Sequence, residues 1–259
     1  LHRLDTIGGS LSTWQLPGLC GAVVLSNVTR KVVIALDSGV STFDTDTAQL
    51  RLLVEVEPAT LGNRLNDSKC DRLGRLWTTS MRDRGAAIAG SLYSIDADLC
   101  VTRHLKNLGV PNALCWSPSS ETLYFADSMD GRIRSFDFDI DKGTLESERT
   151  LLVPDALPGK PDGATTDAEG CIWNARYGGG CIARITPDGR IDRIIEVPTP
   201  QVTSCAFGDS DLRTLYITTA RQNLTAGSDD NKLAGHLFAV RLEVEGLPEA
   251  GFRINLDQR

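Results

Sequence analysis

The feature that most constrains this 259-residue chain is that it repeats itself. Five segments share one pattern: a polar or small residue, an apolar run, a turn rich in Gly, Asp or Ser, then a short strand closing on a hydrophobic-aromatic pair. They read GLCGAVVLSNVTRKVVIAL from Gly18, RLNDSKCDRLGRLWTTSM from Arg64, VPNALCWSPSSETLYFADSM from Val110, KPDGATTDAEGCIWNARYGGG from Lys160 and QVTSCAFGDSDLRTLYITTAR from Gln201. Superposing them aligns Cys20, Asn66, Asn112, Asp162 and Thr203, at spacings of 46, 46, 50 and 41 residues. Further short strands with turn signals lie between the copies, and no segment carries a helical period, which points to an all-β chain. Units of about 40 to 50 residues with about four strands each are the mark of β-propeller blades. A β-sandwich is the competing all-β fold, but it has no reason to repeat with this period. Each blade needs its neighbours to bury both sheet faces, so residues 1–259 are expected to form a single propeller domain.

The arithmetic leaves a gap at the start. Nineteen residues precede Cys20, and LHRLD reads as the later strands of a blade whose opening strand is absent. Either the ring has five full blades plus a remnant, or the sequence is truncated at its N-terminus.

Charge and composition exclude several function classes. Lys+Arg 27 against Asp+Glu 34 gives a net charge of -7, with the basic residues scattered singly, so no nucleic-acid partner is expected. No apolar run approaches the roughly 20 residues of a membrane-spanning helix, and no membrane partner is expected. Seven cysteines, an odd number without a CxxC pair and mostly inside apolar runs, read as buried reduced thiols and point to the cytoplasm. The polar segment from Ala220 to Gly235 reads as a solvated surface loop placed where it could fold over a propeller's mouth.

In a propeller the innermost strands start around a central channel. Asn66, Asn112 and Asp162, far apart in sequence, would therefore face one another across it. Amide and carboxylate oxygens converging on a point suit a hard divalent cation better than a thiolate-seeking one. The plainer reading of each residue alone is a turn at strand entry. Other candidates are set aside. Asp137, Asp139 and Asp141 with Glu148 are spaced like a calcium loop, but Gly143 falls one place late and no helices flank it, so a hairpin turning at Lys142-Gly143 is expected. His2, His104 and His236 lack metal-ligand spacing, Gly178–Gly180 reads as a tight turn, and no GxSxG elbow is present.

The run Asn63-Arg64-Leu65-Asn66-Asp67, followed by Gly74-Arg75-Leu76-Trp77 and Ser80-Met81, resembles the NRxND...GRxWxGTM signature of the SMP-30/gluconolactonase/regucalcin-like family. Pro111-Asn112-Ala113-Leu114 is similar to its second metal-site segment, Pro161-Asp162-Gly163 to its PDG segment, and Thr203 to Gly208 to its TSxxFG segment. The likeness runs in order from about residue 20 to about residue 245. It implies a six-bladed propeller, with the first blade incomplete at the N-terminus of this chain, and one divalent cation in the channel. Ca²⁺ is the first choice for that ion, with Zn²⁺, Mn²⁺ or Mg²⁺ as alternatives. The implied activity is hydrolysis of a sugar-type or other small lactone. Carried over by position, Asn112 and Asp162 match direct metal ligands, Asn66 a residue beside the metal, Arg64 a substrate-contacting arginine, and Asp83 an acidic substrate contact.

Three departures accompany the likeness. Ser68 stands where a Gly usually follows Asn-Asp, and Ala113 replaces the Gly after the second Asn; both are expected only to adjust turns. A first-blade Glu, the family's other anionic ligand, is not among these residues, and a molecule starting at Leu1 is expected to bind metal weakly. The residue types fit water attack on a metal-polarised lactone carbonyl. Asp162 is the candidate proton acceptor if one oxygen stays off the ion, with a hydroxide on the cation as the competing route. Arg64 presents a planar fork of donors to substrate hydroxyl or carboxylate groups, or else pairs with a nearby acid. The rival class is a non-enzymatic propeller that binds a small molecule or protein and has a degraded metal site.

Overall fold

Alternating strands and Asx turns produce one antiparallel sheet after another along the chain. The computed structural model describes residues 1–37, 39–57, 62–85, 87–224 and 232–255. A two-stranded sheet comes first, from β1 (His2–Leu4) and β2 (Leu11–Thr13). Four four-stranded meanders follow. The first is β3 (Cys20–Leu25), β4 (Lys31–Leu36), β5 (Gly39–Asp44) and β6 (Leu50–Glu55); the second is β7 (Asn63–Cys70), β8 (Leu76–Arg82), β9 (Gly90–Ile95) and β10 (Val101–Leu108). The third is β11 (Pro111–Trp116), β12 (Thr122–Asp127), β13 (Arg132–Asp139) and β14 (Thr144–Leu152); the fourth is β15 (Lys160–Thr166), β16 (Ile172–Tyr177), β17 (Cys181–Ile185) and β18 (Ile191–Glu196). A three-stranded sheet of β19 (Val202–Gly208), β20 (Thr214–Thr219) and β21 (Leu237–Arg241) ends the series. No helix occurs among the described residues, so none there is long and apolar enough to cross a membrane.

The turn chemistry is the same in the second and fourth blades. Asp71 Oδ1 accepts the backbone N–H of Leu73 and Arg75, and Asp167 Oδ1 accepts those of Glu169 and Cys171. Gly74 and Gly170, each at φ +86°, take the left-handed position that these turns demand. The second oxygen of each aspartate then reaches inward. Asp71 Oδ2 accepts Trp77 Nε1 at 3.0 Å and Arg75 Nε at 2.8 Å, and Asp167 Oδ2 accepts Trp173 Nε1 at 2.8 Å and Arg184 Nε at 2.8 Å.

The core lies between blades, as a propeller requires. Val33, Leu65, Leu76 and Ile95 fill the seam between the first and second blades, Trp77, Leu114, Trp116 and Phe125 the next. Ala113, Ile133, Ile172 and Ile185 fill the third seam, and Trp173, Val202, Phe207 and Leu215 the fourth. On the far side of the first blade, Trp14 stands edge-on to Phe43 at 5.7 Å, so the small N-terminal sheet covers its outer strands. Inner strand β3 stays open on that side, with Val23 48% and Leu25 56% exposed.

The fold is therefore an all-β propeller of five blades plus a two-stranded sheet, and six complete blades are not present among the described residues. Among the described residues no further strand joins His2–Leu4 and Leu11–Thr13 in their sheet. After β21 the chain runs beneath the ring. Gly246 bridges Asp167, Glu249 pairs with Lys69 at 2.8 Å, Arg253 N–H donates to Gly74 O, and Asn255 N–H to Ala97 O. Phe252 and Ile254 are buried in the first seam, so this segment ties three blades together from below.

All seven cysteines are free; five are buried, while Cys20 and Cys100 are exposed. The acidic Asp137–Asp141 stretch is the expected hairpin, with Gly143 at φ +67° and Asp139 bonded to the backbone N–H of Asp141 and Lys142. Gly178 to Gly180 form the turn between β16 and β17. Of the 220–235 loop, residues 225–231 lie outside the described residues. Its base is tied down by Thr219 Oγ1 to His236 O at 2.7 Å and Arg221 Nε to Ala234 O at 2.9 Å.

Candidate active site at the channel mouth

Each inner strand departs from regular pairing at the position that the repeats align. The register slips between Cys20 and Ala22, Leu65 and Ser68, Asn112 and Cys115, Pro161 and Ala164, and Val202 and Ser204. A bulge re-aims the side chains around it, and here it recurs at the start of every inner strand. The inner strands contact one another in the order β3, β7, β11, β15, β19, which brings three of the aligned residues together.

Asn66 Nδ2 donates to Asn112 Oδ1 at 3.1 Å and to Pro111 O at 2.9 Å. Arg64 NH1 donates to Asn66 Oδ1 at 2.8 Å and to Leu65 O at 3.0 Å, while Arg64 Nε lies 3.4 Å from Asp83 Oδ1. Arg64 thus lies against Asn66 and also pairs with Asp83, an exposed residue. Thr203, at the same repeat position, shares a hydrogen bond of 2.8 Å with Thr218.

Asp162 sits on the bulge of β15 with Oδ1 accepting its neighbour Gly163 N–H at 3.0 Å. Its backbone carbonyl accepts Asn174 Nδ2 at 2.9 Å, and among the described residues its carboxylate has no further hydrogen bond and no ion pair within 4 Å. Withdrawal from water, with the negative charge of Asp67 nearby, pushes its carboxyl up to about 8, against the opposing pull of the Gly163 N–H and the Arg64 guanidinium. Asp67 itself is raised by burial, eased by the Leu114 N–H that bonds its Oδ2 at 3.0 Å and by the Lys69 ammonium. Burial thus raises both carboxyls, with Arg64 and Lys69 as the positive charges that oppose the shift. Added positive charge there relieves both, and the donors with lone pairs to spare are oxygens: the Asp162 carboxylate and Asn112 Oδ1, which accepts one bond from Asn66 Nδ2. That set fits one hard divalent cation. No group of three or more His, Cys, Asp or Glu side chains is arranged as ligands among the described residues, so these two residues would carry most of the holding.

The two turn departures differ in character. Ser68 keeps ordinary backbone, and its hydroxyl donates to Asn66 O at 3.3 Å and shares a 2.7 Å hydrogen bond with Thr78 Oγ1. Ala113, fully buried, adopts φ +59°, the left-handed region where a Cβ is unfavourable and glycine is free of that cost.

Sequence reasoning missed four groups here. Asp67 was read only as half of an Asn-Asp pair. Buried Glu57 accepts hydrogen bonds from Asn63 Nδ2 at 2.7 Å, from Tyr93 OH at 2.8 Å and from the Ser80 hydroxyl, and so clamps the start of β7 beside Arg64. Tyr177 OH takes a 3.4 Å bond from Asn223, linking the mouth to the 220–235 loop. Ser128 bonds Asn112. The periodicity of β7, β12 and β16 was the available signal, because mouth residues cluster at strand ends.

The fold and these residues define a β-propeller with Arg64, Asn66 and Asn112 linked by hydrogen bonds at the bulges of its inner strands. The SMP-30/Gluconolactonase/LRE-like region family model matches residues 1–221, and the chain belongs to this family. It is 35% identical over 258 residues to the 6-deoxy-6-sulfogluconolactonase of Pseudomonas putida, covering 97% of this chain and 87% of that one. Among solved structures it is similar to the calcium-binding protein regucalcin of Agrobacterium tumefaciens, with TM-score 0.91, 33% identity and coverage of 98% and 86%. A luciferin-regenerating enzyme aligns with TM-score 0.91, 30% identity and coverage of 98% and 88%.

Proposed function

We propose that this protein is a lactonase that hydrolyses a sugar-type or other small lactone, using one divalent cation held by Asn112 and Asp162. The observation that carries the reading is that Asn112, bonded to Asn66, and Asp162 stand at the same bulge of neighbouring inner strands β11 and β15. Family membership and the 6-deoxy-6-sulfogluconolactonase relative support the lactone class. When bound, such an ion supplies polarisation of the lactone carbonyl and stabilises charge developing on its oxygen. Arg64 and Asn66 orient the substrate, Asp83 limits how far the Arg64 fork can swing, and the ionised Asp162 oxygen takes the proton of the attacking water.

Proton release from a small aldonolactone tests this directly. Protein stripped of metal is expected to give only the buffer rate, addition of Ca²⁺, Mn²⁺, Zn²⁺ or Mg²⁺ to restore turnover, and chelator to remove it again. No rate above buffer with any of these ions overturns the hydrolase reading and favours a binding propeller.

The raised Asp162 carboxyl adds a pH test. Its folded value lies above the ordinary carboxylate range, so the proton is held up to about 8 and a cation must displace it. Apparent cation affinity is expected to fall about tenfold for each pH unit below 8, equal to about 1.4 kcal/mol per unit, and to level off above it. Calorimetric titration with Ca²⁺ in buffers of different ionisation enthalpy reads the released proton; affinity flat from pH 6 to 8 contradicts the assignment.

A further inference from the structure

A chain of hydrogen bonds runs round the mouth across three blades. Arg64 NH1 donates to Asn66 Oδ1 at 2.8 Å, Asn66 Nδ2 to Asn112 Oδ1 at 3.1 Å, Asn112 Nδ2 to Ser128 Oγ at 2.9 Å, and Ser128 Oγ–H to Pro161 O at 2.5 Å. Its direction follows from chemistry at both ends. A peptide carbonyl only accepts, so the Ser128 hydroxyl spends its one proton on Pro161 and has only lone pairs to offer Asn112. Asn112 must then turn Nδ2 toward Ser128 and Oδ1 away from it. At the other end a guanidinium only donates and Pro111 O only accepts, which fixes Asn66 with Oδ1 toward Arg64 and Nδ2 toward Asn112. The two ends impose the same polarity on the Asn112 carboxamide.

We propose that Ser128 is a positioning residue that sets which way round the Asn112 carboxamide sits, so that the amide oxygen, not the amide nitrogen, is presented to a cation. The inference rests on the cation reading above, but it concerns a residue that the sequence did not single out. Ser128 lies just after β12 and is half-buried. Strand register pairs Leu65 with Ser80, Pro111 with Asp127 and Pro161 with Arg176, so Met81 and Tyr177 occupy its place in the neighbouring blades. Neither makes this bond, which matches Asn112 being the aligned residue whose amide needs orienting. With the hydroxyl gone, the Asn112 NH₂ loses its acceptor, and only the Asn66 NH₂ still opposes a flip that would aim N–H groups at the ion. The same hydroxyl holds the carbonyl of Pro161, the residue before Asp162, so one side chain steadies both oxygens of the set. Partners that orient a metal ligand from behind typically contribute about ten- to a hundredfold in affinity.

The test uses the full chain and Ca²⁺ alone as the probe, with Ser128→Ala and Ser128→Thr each made in the native chain and in an Asn112→Asp background. Thermal unfolding of every variant checks that the fold is retained. By calorimetry Ser128→Ala is expected to weaken Ca²⁺ about ten- to a hundredfold, and Ser128→Thr, which keeps the hydroxyl, by less than about threefold. In the Asn112→Asp background the Ser128→Ala loss is expected to shrink to less than about threefold, because a carboxylate presents oxygen whichever way it turns. An equal loss in both backgrounds overturns the proposal. A second readout needs no cation: the Asn112 side-chain NH₂ pair, assigned by its disappearance in Asn112→Asp, is expected to be protected from exchange in the metal-free native chain and in Ser128→Thr, and unprotected in Ser128→Ala. Protection surviving in Ser128→Ala also overturns it. If native protein takes up no Ca²⁺ at all, the cation reading fails, while the NH₂ protection still decides what Ser128 does.

Discussion

Replacing Asp162 by alanine is expected to lower cation-dependent lactone turnover by at least about a thousandfold while leaving the metal-free fold as stable as before, or more so. The activity term follows from what the residue does in the proposed site. It is the anionic member of the ligand pair, and its ionised oxygen receives the water proton; general-base assistance alone is worth about a hundred- to ten-thousandfold, and weaker cation binding adds to that. The stability term follows from its surroundings. Asp162 is a poorly solvated carboxyl with one backbone hydrogen bond, raised to about 8 by desolvation and by Asp67. A folded state that holds this proton more tightly than the unfolded chain loses stability as pH rises from the ordinary carboxylate range through about 8. Asp162→Ala removes that loss. Denaturant midpoints at pH 6 and pH 9 without metal are therefore expected to diverge in the native chain and to stay close in the variant. Residues kept for chemistry at the expense of stability behave in this way. Retained turnover in Asp162→Ala would place the chemistry elsewhere, and a collapse of the variant's fold would make Asp162 a structural residue.

The second large effect is expected far from the mouth. Asp167→Ala should cost about 3–5 kcal/mol of folding free energy, the usual consequence of removing one partner from a buried charged network. Asp167 is fully buried and accepts four hydrogen bonds: the backbone N–H of Glu169 and Cys171, the Trp173 indole and the Arg184 guanidinium. One side chain thus closes the β15–β16 turn, satisfies the largest aromatic of the fourth seam and neutralises an arginine that stacks over Trp173. Without it the indole N–H loses its acceptor in a dry interior, and Arg184 keeps only Glu169 and Asp192 at the surface. The contrast is Asp139→Ala, where the ion pair to Lys142 is exposed and screened by water, and a far smaller loss is expected. Urea unfolding of both variants measures the difference, and comparable small losses would mean that the buried network contributes little.

Much of this architecture was legible in the chain itself. The 46-residue repeat named the blades, because a sheet that must bury both faces against copies of itself keeps its strand lengths, turns and apolar alternation. The aligned Asn66, Asn112 and Asp162 lie at bulges of successive inner strands, as equivalent positions around an axis must. The Asp-Trp turns were visible as DRLGRLW and DAEGCIW, although their hydrogen bonds were not.

What the tertiary structure alone decided depends on which groups the closed arrangement brings within reach of one another. Lys69 meets Glu249 across 180 residues of chain, Glu57 finds Ser80 and Tyr93, and Ser128 stands between Asn112 and Pro161. No local pattern encodes such meetings. Propensity and periodicity report whether a residue prefers a strand or a turn and which face it takes, since those preferences act over a few residues. The polarity of an amide, the charge left uncompensated at Asp162 and the left-handed strain at Ala113 are set by partners from other blades and by the register between strands, and they take definite values only once the blades have packed.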